Sequence, residues 1–187
     1  MPRGWPIVGF SALAVSAMCL LLLLYAGPGE DGLRLVIRAT ARTSAALFVL
    51  AFAASALWRL WPTAASRWLL VNRRYVGVSF AVSHLCHLLA ILTLVGLFSA
   101  RAGLVTVVLG GVGYLVVAAM VATSFDRSAA WLGARRWQQL HTAGVYYLWG
   151  IFLATFAPRT PESPVLYGTI TLMLVAALGL RLAAPRT

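Results

Sequence analysis

From Arg73 to Ala100 the chain reads RRYVGVSFAVSHLCHLLAILTLVGLFSA. Behind a pair of arginines, it runs without an acidic or basic residue other than His84 and His87 for longer than the roughly 20 residues a helix needs to cross a bilayer core. Two imidazoles three residues apart share one side of such a helix. An ionisable side chain at that depth is costly, which makes it a functional candidate whose partner has to be named.

The rest of the chain has the same character. Of its 187 residues 61% are hydrophobic and 10% charged, with a mean hydropathy of +0.89, which describes an integral membrane protein rather than a soluble domain. Six stretches are long and apolar enough to span, near 5–26, 44–61, 75–99, 104–124, 138–157 and 165–183. The expectation is an all-α, six-helix membrane bundle forming a single domain over 1–187. Breakers separate the spans: AGPGEDG, WPTAASRW, ARAG and APRTPESP. The apolar run of the first span exceeds a signal peptide's usual 7 to 15 residues, so it reads as a retained helix. The segment LRLVIRATARTS, with three arginines ahead of the second span, reads as a short surface helix.

The net charge of +11 comes from arginines that flank apolar runs, a pattern of membrane orientation rather than of nucleic-acid binding. With the N-terminus inside, Arg3, Arg59, Arg67, Arg73, Arg74, Arg127, Arg135, Arg136, Arg181 and Arg186 collect on the inner side. Arg34, Arg38, Arg42, Arg101 and Arg159 remain outside, so both termini are expected to be cytoplasmic. Trp58, Trp61, Trp68, Trp131 and Trp137 fall where helices meet the inner interface. Cys19 and Cys86 lie in apolar segments and read as small core residues, with no disulfide framework indicated.

The third histidine, His141, opens the fifth span in GARRWQQLHTAGVYYLWGIFLATF. The third and fifth spans are expected to run parallel, each behind an Arg-Arg pair, Arg73 and Arg74 or Arg135 and Arg136. Imidazoles on facing helices are able to ligate haem iron, with arginines at the inner ends to pair the propionates. Zinc fits poorly, since Glu30, Asp31, Asp126 and Glu162 all lie in loops. Tyr146, Tyr147 and Trp149 are placed to line a haem pocket but read first as packing. Gly110 to Gly113 read as small residues for close helix approach, and Gly77 and Gly144 as places for a porphyrin face or a neighbouring helix.

RRYVGVSFAVSHLCHLL and TSFDRSAAWLGARRWQQLHTAGVYY resemble the ferric-reductase-like transmembrane domain. The nearest likeness is to the haem-binding membrane subunit of the periplasmic methionine sulfoxide reductase system. The first carries an Arg-Arg, Gly, then His pattern ending at His87; the second carries Thr-Ser, Leu-Gly, Arg-Arg-Trp and Leu-His. The likeness covers about 73–156 and implies b-type haem carrying electrons within a multi-pass protein of the bacterial inner membrane. It implies ligation by His87 and His141. The wider family has two histidines on each of the third and fifth helices, and here Arg73 and Ala154 stand at the other two positions. The sulfoxide reductase subunits lack the upstream histidine as well, but keep the one replaced by Ala154.

His84 enters on height. At about 1.5 Å per residue it lies about 15 Å beyond Arg74, while His141 lies about 7 to 8 Å beyond Arg136 and His87 one turn deeper than His84. One haem b is therefore expected, held by His141 and either His84 or His87. With no flavin or nicotinamide domain expected on the chain, a separate flavoprotein or quinol would supply electrons, and a partner reductase or small acceptor would take them. FMN at the inner loops is something the family accommodates but no residue here specifies. The alternative is a non-redox interaction or assembly protein that keeps the fold without a working haem site.

Overall fold

The computed structural model describes residues 3–100 and 103–185; Arg101 and Arg186, counted above for orientation, lie outside the described residues. Among these the chain is helical without strands: α1 (Trp5–Ala26), α2 (Glu30–Leu60), α3 (Ala64–Phe98), α4 (Leu104–Ala122), a short α5 (Asp126–Leu132), α6 (Ala134–Phe156) and α7 (Thr169–Ala183). A 3-10 turn (Ala157–Arg159) and a π-helical turn (Pro164–Gly168) join the last two. Six of these helical stretches are long and apolar enough to cross a membrane.

Two elements differ from the sequence reading. The arginine-rich segment before the second span is no separate surface helix: α2 runs unbroken for 31 residues. Leu33, Val36, Thr40, Ser44, Phe48 and Phe52 are all buried and recur every three or four residues, so one inward face continues through both halves. Arg34 and Arg38 turn outward, and Arg34 pairs with Glu30 one turn earlier, as acid before base on a helix favours. The third span begins about three turns early, and α3 is 35 residues long. Its start is set by Thr63 and Ser66, which cap each other: the Thr63 N–H donates to Ser66 Oγ at 2.9 Å and the Ser66 N–H to Thr63 Oγ1 at 3.2 Å.

The chain packs as two units, Met1–Ala51 with Trp68–Ala102, and Phe52–Arg67 with Gly103–Thr187. In the first, α1 is tied at its beginning to α3. The Gly4 N–H donates to Asn72 Oδ1 at 3.1 Å, and Trp5 meets the Tyr75 ring edge-on at 5.6 Å. Gly4 has φ 76, a left-handed conformation that glycine adopts at little cost. Phe48 of α2 meets Phe80 of α3 with ring centroids 5.7 Å apart.

In the second unit, α6 packs against α4 and α7. Its aromatics pack, as their sequence reading favoured. The Tyr147 hydroxyl donates to the Leu109 carbonyl at 2.8 Å, the Trp149 indole to the Leu174 carbonyl at 2.9 Å, and Tyr146 sets its ring edge-on to Phe52 at 5.8 Å. Arg181 of α7 lies 4.4 Å over the Phe52 ring and donates to the Phe52 carbonyl at 2.9 Å. Gly144 makes room for α4. A Cβ there would come 2.6 Å from Met120 Sδ and 3.0 Å from Val116, so the neighbour it admits is a helix. In the glycine run of α4 a Cβ at Gly113 would meet Tyr147 and Leu148, whereas one at Gly110 or Gly111 would meet nothing within 4 Å.

Candidate functional site

His84 and His87 belong to the first unit, and both point along a face of α3 that carries Phe80. The three rings form a ladder, with centroids 5.3 Å apart from Phe80 to His84 and 5.4 Å apart from His84 to His87, the two imidazoles stacked within 18°. Spacings of four and three residues place successive rings one turn apart on the same side, which is the reason this sequence stacks them.

His87 is anchored across to α2. Its Nδ1 lies 3.0 Å from the Ile37 carbonyl and 3.1 Å from Thr40 Oγ1. The Thr40 hydroxyl already donates to the Val36 carbonyl at 2.7 Å, so toward the imidazole it accepts. A carbonyl also only accepts. Both contacts therefore require the proton on Nδ1 and leave the lone pair of the neutral ring on Nε2. A backbone acceptor on one ring nitrogen that fixes the other as donor to a metal is the usual arrangement around a ligating histidine.

The anchor sits in a buried hydroxyl seam between α2 and α3. Thr40, Ser44, Ser79 and Ser83 are all fully buried. Ser44 donates to Ser83 at 3.0 Å, and Ser83 to the Thr40 carbonyl at 3.4 Å. One turn from Ser83, the Ser79 hydroxyl makes no hydrogen bond. Sequence reasoning missed Ile37 and Thr40 as partners of His87. The available signal was the four-residue spacing of Thr40 with Ser44 and of Ser79 with Ser83, two matched polar stripes on successive helices. Beside Gly77, on the same helix, a Cβ would meet nothing within 4 Å.

His141 belongs to the second unit and is held differently. Its Nε2 lies 3.0 Å from Thr123 Oγ1, and that hydroxyl donates to the Ala119 carbonyl at 2.7 Å, so Nε2 carries the proton and donates. Trp137, one turn earlier, stacks on the His141 ring at 4.2 Å and donates its indole N–H to the Thr123 carbonyl at 2.9 Å. Thr123 closes the C-terminal end of α4, so Trp137 and His141 clasp the start of α6 to it. Trp137, expected at the interface, takes part in this clasp. Gly133, with φ 80, provides the turn between α5 and α6 that sets the approach.

An open groove along α6 is lined by Arg135, Gln138, Gln139, Thr142 and Ala143, a face without His141. Ala154 is exposed on the same helix and Arg73 on α3. Among the described residues no group of three or more His, Cys, Asp and Glu side chains is placed to hold a metal ion through protein ligands alone. Comparison with known protein families, with curated proteins and with solved structures finds no match to this chain.

Proposed function

We propose that this chain is a haem b-binding electron-transfer subunit of the ferric-reductase-like type, lying in the bacterial inner membrane with both termini cytoplasmic and serving a separate reductase. The observation that carries this is the Ile37 carbonyl on His87 Nδ1, which orients the imidazole with Nε2 as its donor atom. His87 thus fits an axial ligand by tautomer, and it is also the position marked by the family resemblance. His84 contributes a flat ring stacked beside it. The uncovered backbone at Gly77 suits the approach of a planar group.

His141 fits less directly. To offer Nε2 to a metal, the ring would have to give up its hydrogen bond to Thr123 and carry its proton on Nδ1 instead. Haem b, when bound, supplies one-electron chemistry by cycling between ferric and ferrous iron. The chain's own work is to hold neutral imidazoles in a dry setting: the Ile37 carbonyl and Thr40 keep the proton of His87 away from the ligating nitrogen. The arginines flanking the spans are suited to propionates, to which they would donate paired hydrogen bonds.

Purified protein, expressed with ample haem precursor and examined by absorption and pyridine haemochrome, is expected to carry b-type haem. Reproducible absence of a Soret band under these conditions sinks the proposal. It would favour a non-redox membrane interaction or assembly protein, a second reading supported by the engagement of His141 Nε2 in the clasp and by Ala154 at a ligand position.

A further inference from the structure

The two sides of α6 differ in character. One presents Trp137, His141 and Gly144 to α4. The other lines the open groove with Arg135, Gln138, Gln139, Thr142 and Ala143, whose spacings of three and four set them on one stripe of the helix. The four polar side chains of that stripe are exposed, and among the described residues none of them has a hydrogen-bond or ionic partner. Thr43, Thr93 and Thr155 each turn the hydroxyl back onto the carbonyl four residues earlier, the usual outlet for a threonine on an apolar helix. Thr142 makes no such bond.

α6 is one of the helices apolar enough to cross a membrane, so polar groups left bare on its outer side are costly until something polar covers them. Their depth is marked by Trp131, four residues before Arg135 and 86% exposed, because an indole standing outside the packed helices belongs at the headgroup level. From Arg135 to Thr142 the stripe descends about 10 Å. The interfacial layer on each side of the hydrocarbon core is about 5 to 8 Å thick. The stripe therefore begins at the lipid phosphates and ends just below the glycerol esters. The next turns of the same side, at Tyr146, Gly150 and Leu153, carry no charge and no amide. Arg127, Arg135 and Arg136 outnumber Asp126 on α5 and the first turn of α6, and no carboxylate lines the groove, so an ammonium headgroup finds no partner there.

We propose that this groove binds an anionic phospholipid. Its phosphodiester sits on the Arg135 guanidinium, and its ester carbonyls accept from the Gln138 and Gln139 amides and the Thr142 hydroxyl. The bound lipid covers the side of α6 turned away from the Thr123 clasp, so the start of this helix is held by α4 on one side and by a headgroup on the other. The site depends on the chain lying in a membrane but needs no haem, so it stands or falls apart from the electron transfer proposed above.

The test uses the full chain, delipidated in detergent and titrated with phosphatidylglycerol or with phosphatidylcholine of the same acyl chains, bound lipid being counted by native mass spectrometry. Phosphatidylglycerol with a diazirine high on one acyl chain locates the site by peptide mapping. Wild type should bind phosphatidylglycerol about fivefold more tightly than phosphatidylcholine, the weight of one arginine beside an anionic headgroup, with crosslinks in α5 and the first half of α6. Arg135→Gln should bring that ratio close to one, and Arg159→Gln, at the far end of α6, should leave it unchanged. Gln138→Leu combined with Gln139→Leu should weaken both lipids together. Glycerophosphoglycerol, the same headgroup without acyl chains, should not displace the lipid. Equal affinity for the two lipids in wild type overturns the proposal, as do crosslinks confined to other helices or an equal loss in Arg135→Gln and Arg159→Gln. Displacement by glycerophosphoglycerol overturns the lipid as occupant in favour of a soluble phosphate ester.

Discussion

Nδ1 of His87 stands 3.0 Å from the carbonyl oxygen of Ile37, a residue 50 positions away on another helix. That one relationship fixes a tautomer, joins α3 to the arginine-bearing half of α2, and explains why that half is part of a long helix rather than a surface segment. A helix lying on the membrane surface would not bring the backbone of Ile37 to an imidazole at the middle of α3.

The hydroxyl seam beside that bond should respond unequally to deletion. Thr40→Val removes a hydroxyl that accepts from His87 Nδ1, while the Ile37 carbonyl still holds the ring; the expected loss is about 1 kcal/mol, the usual scale of interhelical hydrogen bonds in membranes. Ser79→Ala removes a fully buried hydroxyl that makes no hydrogen bond, and should be neutral or stabilising. Reversible unfolding in mixed micelles measures both; equal destabilisation by the two variants contradicts this assignment of the seam.

Gly144→Ala should weaken the protein by about 1 to 3 kcal/mol, because the added Cβ drives into Met120 and Val116. Met120→Ala in the same chain should return part of that loss, since the sulfur 2.6 Å from the new Cβ is then gone. Thermal unfolding of the two single variants and the double variant gives the coupling. Strict additivity would show that the α4 to α6 approach is not what requires glycine.

Thr123→Val separates the two roles of His141. Without the hydroxyl the clasp loses its bond to Nε2, and stability should drop by about 1 kcal/mol. If His141 ligates iron, Nε2 no longer has to give up Thr123, so haem occupancy should be kept or raised while His141→Ala abolishes it. Haem content per chain, measured beside unfolding, distinguishes this from a purely structural clasp, in which both variants lose stability and neither changes the spectrum.

Gly133→Ala should cost about 1 to 2 kcal/mol, because φ 80 forces a left-handed conformation on a residue with a Cβ. Since Gly133 ends α5 and begins α6, the loss should appear first as faster amide exchange at the start of α6, around Trp137. Unchanged exchange there would place the turn's importance elsewhere.

The spans were largely legible because apolar length is a strong signal, and the ends of α1 at Trp5 and Ala26 fall where hydropathy puts them. The starts of α2 and α3 were not. In α2, hydropathy averaged over Arg34, Arg38 and Arg42 hides an inward face that a three-and-four spacing through Leu33, Val36 and Thr40 preserves. Before α3, the chain does break at Pro62, between Leu60 and Ala64, but Thr63 and Ser66 start the next helix directly behind it, well ahead of the apolar run. The histidines were conspicuous as rare ionisable residues. Their partners were not, since Ile37 acts through its backbone and Thr123 through a hydroxyl with no distinctive neighbour in sequence. Height along the helix favoured His84, and the hydrogen bonding of the ring turns attention to His87.

The most direct test of the haem proposal is the reduced-minus-oxidised spectrum of His87→Ala beside His84→Ala, at matched protein levels and with ample haem. The account predicts loss of the low-spin b-type signal in His87→Ala and its retention in His84→Ala, with at most a small band shift from the lost stacking partner. A normal low-spin spectrum in His87→Ala would contradict it.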